Sequence, residues 1–293
     1  MSVPSATAQP ESRTLLFGIM LMVVGMAVLN GMDAISKLLT AEHSGIQVAW
    51  ARYTFHLVPL VLFAGPARLK RMVRTADPWG QVMRSAALAL SAVCIILAFA
   101  LMPLADAIAV SFIAPLLIVA LSARFLGERV GVHRWIAVLV GFGGMLVLVW
   151  PSGDVFEPGT LMALAAALFW AVGMMMTRQV RGDDPWSTLF YTASIGTLLI
   201  SLAVPFFWTT PSMKGWALML AMGLLGGVAH TFIIHAFRHA GASVLAPFNY
   251  TLLLWATFYG WILFGDLPGQ RAMIGAAIIV AAGLYAWHRE RLR

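Results

Sequence analysis

Ten apolar runs, each about long enough to cross a lipid bilayer, occupy most of this 293-residue chain. They cover residues 14–39, 46–65, 82–102, 106–126, 134–150, 159–177, 186–208, 215–237, 242–264 and 270–288. A membrane helix needs about 20 mostly apolar residues, because each residue adds only about 1.5 Å of length. The connections are short and hold the charges and breakers, as in PARLKRMVRTADPWGQ, PSGDVFEP and RQVRGDDP. The expected fold class is therefore all-α integral membrane, with no room for a soluble domain. A β-barrel is excluded, since its strands would be shorter and would alternate in polarity. Composition agrees: 61% of residues are hydrophobic and 11% charged, where a soluble domain has about one quarter charged.

The formal net charge is +7. Its distribution reads as topology rather than as a nucleic-acid surface, because the basic residues sit in short connections and not on one soluble face. With the N-terminus in the cytoplasm, 15 of the 19 Lys and Arg residues fall in cytoplasmic segments, including Arg68, Lys70, Arg71, Arg74 and Arg84. Lys214 and Arg271 fall outside, and Lys37 and Arg52 lie within spans. Both termini are expected in the cytoplasm. The opening MSVPSATAQPESR lacks the apolar core and cleavage site of a signal peptide. The single cysteine, Cys94, excludes an intrachain disulfide and is read as inert packing.

The two halves of the chain resemble each other. Gly18 matches Gly159 and Lys37 matches Arg178, both at an offset of 141. Ala98-Phe99 matches Ala236-Phe237, and LGER at Leu126–Arg129 matches FGDL at Phe264–Leu267, both at 138. Five spans per half is an odd number, so the second half must lie inverted relative to the first. The expected units are two five-helix repeats, 14–150 and 159–288, with tails 1–13 and 289–293. Inverted repeats are a transporter design, with the solute site between the halves near the midplane.

FLGERVGVHRWIAVLVGFGGMLVLVWP (Phe125–Pro151) and FGDLPGQRAMIGAAIIVAAGLYAW (Phe264–Trp287) resemble the segments that close each half of EamA-type members of the drug/metabolite transporter superfamily. ALFWAVGMMMTR (Ala167–Arg178) and ASVLAPFNY (Ala242–Tyr250) resemble the family's sixth and penultimate spans. Asp266 stands where the family commonly has Glu, which conserves charge. The resemblance implies a ten-helix basket in the bacterial inner membrane, with a central cavity and alternating access. It also implies export of small metabolites, amino acids first and aromatic ones among them. Other amines, sugars or drugs are the alternative cargo within the superfamily. No cofactor is implied, and nothing in the sequence demands more than a monomer.

Two sets of residues are candidates for the site. Asp33 and Lys37 share a face of the first span at spacing i, i+4, as do Arg52 and His56 in the second. They are read as a polar gate, a contact for a zwitterion, or an ion pair joining the two spans. Candidates for the solute wall are Asn30, Trp170, Met174, His230, Pro247, Asn249 and Tyr250. Asn30 supplies both a donor and an acceptor, Trp170 a stacking face, and Met174 an adaptable apolar surface. Pro247 and Pro115 are expected to free backbone carbonyls within the membrane. His230 and His235, five apart, do not share one metal-binding face. Glu128 and Asp266 are read as helix caps and loop charges rather than site residues.

No P-loop, nucleophile elbow or HExxH occurs. ATP hydrolysis is thus not expected to drive the protein. An intramembrane enzyme would need acid, base or metal groups converging in one layer, and Asp33, Lys37, Arg52 and His56 are the one set offered. A sensor or scaffold would ordinarily append a soluble domain.

Overall fold

The computed structural model describes residues 12–125, 132–149, 157–177, 180 and 182–291. Glu128, Trp150, Pro151 and Arg178 lie outside the described residues. The chain runs through α1 (Ser12–Leu39), α2 (Gly45–Met72), α3 (Pro78–Leu101), α4 (Leu104–Ser111), α5 (Ala114–Phe125) and α6 (Val132–Val149). It continues through α7 (Pro158–Thr177), α8 (Pro185–Ala203), α9 (Met213–His239), α10 (Ala242–Leu245), α11 (Thr251–Phe264) and α12 (Gln270–Arg291). Short 3-10 turns, Val204–Phe207 and Ala246–Tyr250, follow α8 and α10. Among the described residues, five helical stretches are long and apolar enough to cross a membrane by themselves: Arg13–Leu39, Pro78–Leu101, Pro158–Thr177, Trp186–Phe207 and Met213–His239.

The expected fourth and ninth spans are each broken in two. The fourth is α4 plus α5, with the break at Phe112 and Ile113; the ninth is α10, a 3-10 turn and α11. The prolines fall in the first turns after the breaks, Pro115 in α5 and Pro247 in the 3-10 turn. There a missing N–H costs nothing, since it would have no helical partner anyway. The two spans are thus interrupted at these turns, with the prolines just after them. The second span ends where the apolar run does: Gly65 has φ 67° and ψ 162°, a conformation open to a residue without Cβ, and the helix resumes beyond it.

Local capping sets the helix starts. Ser44, Asp77, Asp184 and Ser212 each accept a hydrogen bond from a backbone N–H two or three residues on. Pro78 and Pro185 stand in the first turns of α3 and α8.

Packing reproduces the inverted repeat residue by residue. α1 lies along α9 as α7 lies along α3, and α2 meets α9 as α8 meets α3. The pairs α2–α8 and α6–α12 are their own counterparts, and α1 meets α11 as α7 meets α5. A Cβ on Gly18 would meet Ala240 and His239, while one on Gly159 would meet Leu101 and Met102, the residues 138 positions earlier. Gly226 of α9 packs against Met32 of α1, and the equivalent Leu88 of α3 against Gly173 of α7. Small residues at these crossings let backbones approach in a membrane, where dispersion contacts drive helix association.

Candidate functional site

On α1, Asn30, Asp33 and Lys37 form one stripe at i, i+3, i+7, opposite the exposed Phe17, Met20 and Val24. The polar stripe therefore faces the interior of the bundle. The Asp33 carboxylate is buried and accepts a 2.8 Å hydrogen bond from Arg52 Nη1 on α2. Asp33 and Lys37 share a face as expected, but Asp33 is paired across helices. The physical reason is charge: a guanidinium on a neighbouring helix gives the carboxylate a charge-assisted hydrogen bond, and this cross-helix pair ties α1 to α2.

Lys37 turns to the end of the bundle. Its Nζ donates to Met102 O at 2.7 Å and Phe99 O at 3.3 Å, the free carbonyls at the close of α3. It lies 3.8 Å from Asp266 Oδ2 and 5.2 Å from the centre of the Phe264 ring. Asp266, four residues ahead of α12, is placed to pair with Lys37 rather than to cap that helix. Asp106 in the first turn of α4 also acts electrostatically on Lys37. Sequence reasoning missed Asp106; an acid inside the fourth apolar run was the signal.

His56 and His230 come together, their rings edge to face with centroids 5.4 Å apart. His230 Nδ1 lies 2.8 Å from Gly226 O. A carbonyl only accepts, so Nδ1 carries the proton and Nε2 is left as an acceptor in the neutral ring. Gly223 and Gly226 make this corner possible, since a Cβ on either would press on Phe55 or His56. Asp33, Arg52, His56 and His230 thus gather where α1, α2 and α9 meet. His235 is exposed on α9, outside this corner.

Asn30 is fully buried, and among the described residues neither of its amide atoms has a hydrogen-bond partner. Such an amide is a site wanting a ligand or water. Trp170 sits on α7, the counterpart of α1. Helix α7 turns Gly159, Ala166 and Gly173 toward α3, and Leu164 and Ala167 toward α5. At about 100° per residue, Trp170 falls in the arc between these two faces and opposite Leu161 and Leu168. It is 48% exposed. Met174, one turn on, is half-buried on the same arc.

Pro247, Asn249 and Tyr250 are half-buried in the 3-10 turn before α11. Tyr250 stacks on Phe112, centroids 5.2 Å apart at 29°, and its hydroxyl reaches Gly283 of α12. These residues border the break in the ninth span rather than the α1–α2–α9 corner.

At the other end of the bundle, Asp183 between α7 and α8 accepts from Thr75 Oγ1, Ala76 N–H and Gln81 Nε2. Burial works to raise its carboxyl, but these hydrogen bonds outweigh that and hold it below the ordinary carboxylate value. Arg84, expected in a cytoplasmic segment, is instead buried within α3. The polar stripe Gln81, Arg84, Ser85 opening an otherwise apolar run was the signal.

The EamA-like transporter family matches residues 16–150 and 157–286. The chain is 28% identical to an S-adenosylmethionine uptake transporter of Rickettsia conorii, over 95% of each chain. It is 29% identical to a riboflavin transporter of Rhizobium johnstonii, over 100% of this chain and 97% of that one. It is 25% identical to a pseudopaline exporter of Pseudomonas aeruginosa, over 90% of this chain and 94% of the other. A solved crystal structure shares the fold, with a TM-score of 0.64 at 23% identity, over 96% of this chain and 99% of that one.

Proposed function

The chain belongs to the EamA-like transporter family and is a multi-pass membrane protein that moves small molecules, and from that premise we propose that its solute carries an amino-acid headgroup. One observation carries this reading: the fully buried amide of Asn30, unpartnered among the described residues, stands one turn from the Asp33–Arg52 pair on the inward face of α1. A guanidinium matches a carboxylate, a carboxylate matches an ammonium, and an amide serves either. Trp170 and Met174 on the counterpart helix supply an aromatic and apolar wall for the rest of the solute.

Relatives named for S-adenosylmethionine uptake support the reading, since that molecule joins an amino-acid end to a planar adenine. Two inverted halves around one site support alternating access. Relatives are named for uptake and for export alike, which fits a carrier whose net direction follows the solute gradient. The orientation we propose has both termini in the cytoplasm of a bacterial cell, on the basic-residue bias.

The test is counterflow in vesicles of purified protein, with labelled S-adenosylmethionine, phenylalanine, glycine and riboflavin. Saturable, ATP-independent exchange of an amino-acid-bearing solute is expected, with a raised KM in Asn30→Leu. Exchange of riboflavin with none of the others would overturn the headgroup assignment and favour a flavin carrier.

A further inference from the structure

Gln81, Arg84, Ser85 and Leu88 make one stripe of α3 at i, i+3, i+4, i+7, turned toward α7 and α8. Arg84 is only 7% exposed. Its Nε donates to Thr177 Oγ1 at 2.7 Å, and its Nη1 donates to Thr192 Oγ1 at 2.7 Å and Thr188 O at 3.4 Å. Every one of these partners is neutral. Among the described residues no carboxylate lies within 4.0 Å of the guanidinium. The nearby Asp183 is taken up by Thr75, Ala76 and Gln81. A buried cation without an anion is costly, and a guanidinium is the side chain best shaped to receive a carboxylate.

Two more polar atoms on the same stripe are buried and unpartnered among the described residues: Gln81 Oε1 and Ser85 Oγ. The first accepts only, the second also donates. Together with Arg84 they offer donors for a carboxylate and an acceptor for an ammonium.

The repeat shows that packing alone does not call for this charge. The counterpart of Arg84 is Met222, at an offset of 138, and the counterpart of Thr177 is Ser36, at 141. At that corner Ser36 Oγ meets Met222 Sδ at 3.1 Å, with no ion present. A methionine thus fills the same place in the fold. The chain carries an unmatched cation at one end of the bundle and a neutral contact at the other.

We propose that Arg84, with Ser85 and Gln81, is a second solute subsite that takes the solute's carboxylate at the end of the bundle bearing residues 73–77 and 182–184. It deepens the amino-acid headgroup reading and rests on it for the identity of the carboxylate. A solute passing between the Arg52 and Arg84 ends meets one guanidinium already paired and one waiting.

The experiment compares S-adenosylmethionine with its decarboxylated analogue, by counterflow, in wild type, Arg84→Met and Arg84→Lys. Arg84→Met copies the packing of the Met222 corner, so it keeps a fold in which binding can be read. Wild type should prefer the carboxylated solute by about ten-fold or more in KM, the worth of a charge-assisted hydrogen bond. That preference should collapse toward one in Arg84→Met and survive in part in Arg84→Lys. An unchanged preference in Arg84→Met overturns the subsite while leaving the headgroup reading in place. Thermal stabilisation of the purified protein by acetate separates the two claims. Stabilisation in wild type that Arg84→Met loses supports an oxyanion site even if neither solute is carried; equal stabilisation in both overturns it.

Discussion

Phe112 and Tyr250 stand 138 positions apart, the offset that relates the two halves, and their rings stack on each other at 5.2 Å. Each is the other's counterpart, so the pseudo-two-fold axis passes between them. They sit where the fourth and ninth spans break, which places the two breaks back to back. The Tyr250 hydroxyl then extends to α12, leaving no room for a side chain at Gly283.

Gly283→Ala should therefore destabilise the protein by about 1–3 kcal/mol through overpacking. Tyr250→Phe should leave the stack in place and recover part of that loss in the double variant, since Cζ would still stand 2.7 Å from the new Cβ. Melting temperatures in one detergent check this. No recovery in the double variant would mean that the clash lies elsewhere.

Breaking the Asp33–Arg52 pair from one side should cost more than removing both members. Arg52→Met leaves the buried Asp33 carboxylate without its guanidinium, a loss of about 3–5 kcal/mol. The double replacement Asp33→Ala, Arg52→Met should restore part of the stability. A double-mutant cycle on unfolding midpoints gives the coupling, and strict additivity would show the pair to be energetically idle.

Lys37 joins the ends of α1, α3 and α11 through Met102 O, Phe99 O and Asp266. Lys37→Gln should loosen that end. A cysteine introduced at the buried Ala105, in a Cys94→Ala background, should react with a membrane-impermeant maleimide several-fold faster when Lys37 is replaced, on the order of a 1 kcal/mol shift in opening. Equal labelling rates would leave Lys37 as a packing contact alone.

Asp183 sets a pH dependence outside the membrane core. Its carboxyl lies below the ordinary value, so its contribution is complete above the unfolded value of about 4 and fades as pH falls through the lower folded value. Wild type should be more stable than Asp183→Asn at neutral pH, and the two melting curves should converge in acid. A gap that persists or widens on acidification would assign the stabilisation to something other than this carboxylate.

Orientation has its own check. Reporter tags at both termini should read cytoplasmic, and a tag within 151–158 should read the opposite side. Termini on opposite sides would remove the ten-span arrangement.

The spans, their number and the inverted repeat were legible in the chain because each rests on local chemistry. An apolar run must be satisfied within its own helix in lipid, and a helix must be about 20 residues long to cross. Even Gly65 marked a span end, since a residue without Cβ leaves the helix cheaply. The offsets of 138 and 141 also carried over into contacts, Gly18 on Ala240 and Gly159 on Met102.

Partner choice was decided only by tertiary structure. Spacing places Asp33 and Lys37 on one face, yet Asp33 bonds Arg52 while Lys37 reaches the carbonyls of α3. Both pairings obey the same chemistry, and the crossing of α1 with α2 selects between them. Arg84 counted as a loop charge because the chain does not reveal that α7 and α8 flank the first turns of α3 with hydroxyls. Nor could it reveal that Trp170 lies between the two contact faces of α7. A helix presents every direction, and only its neighbours determine which direction is inside.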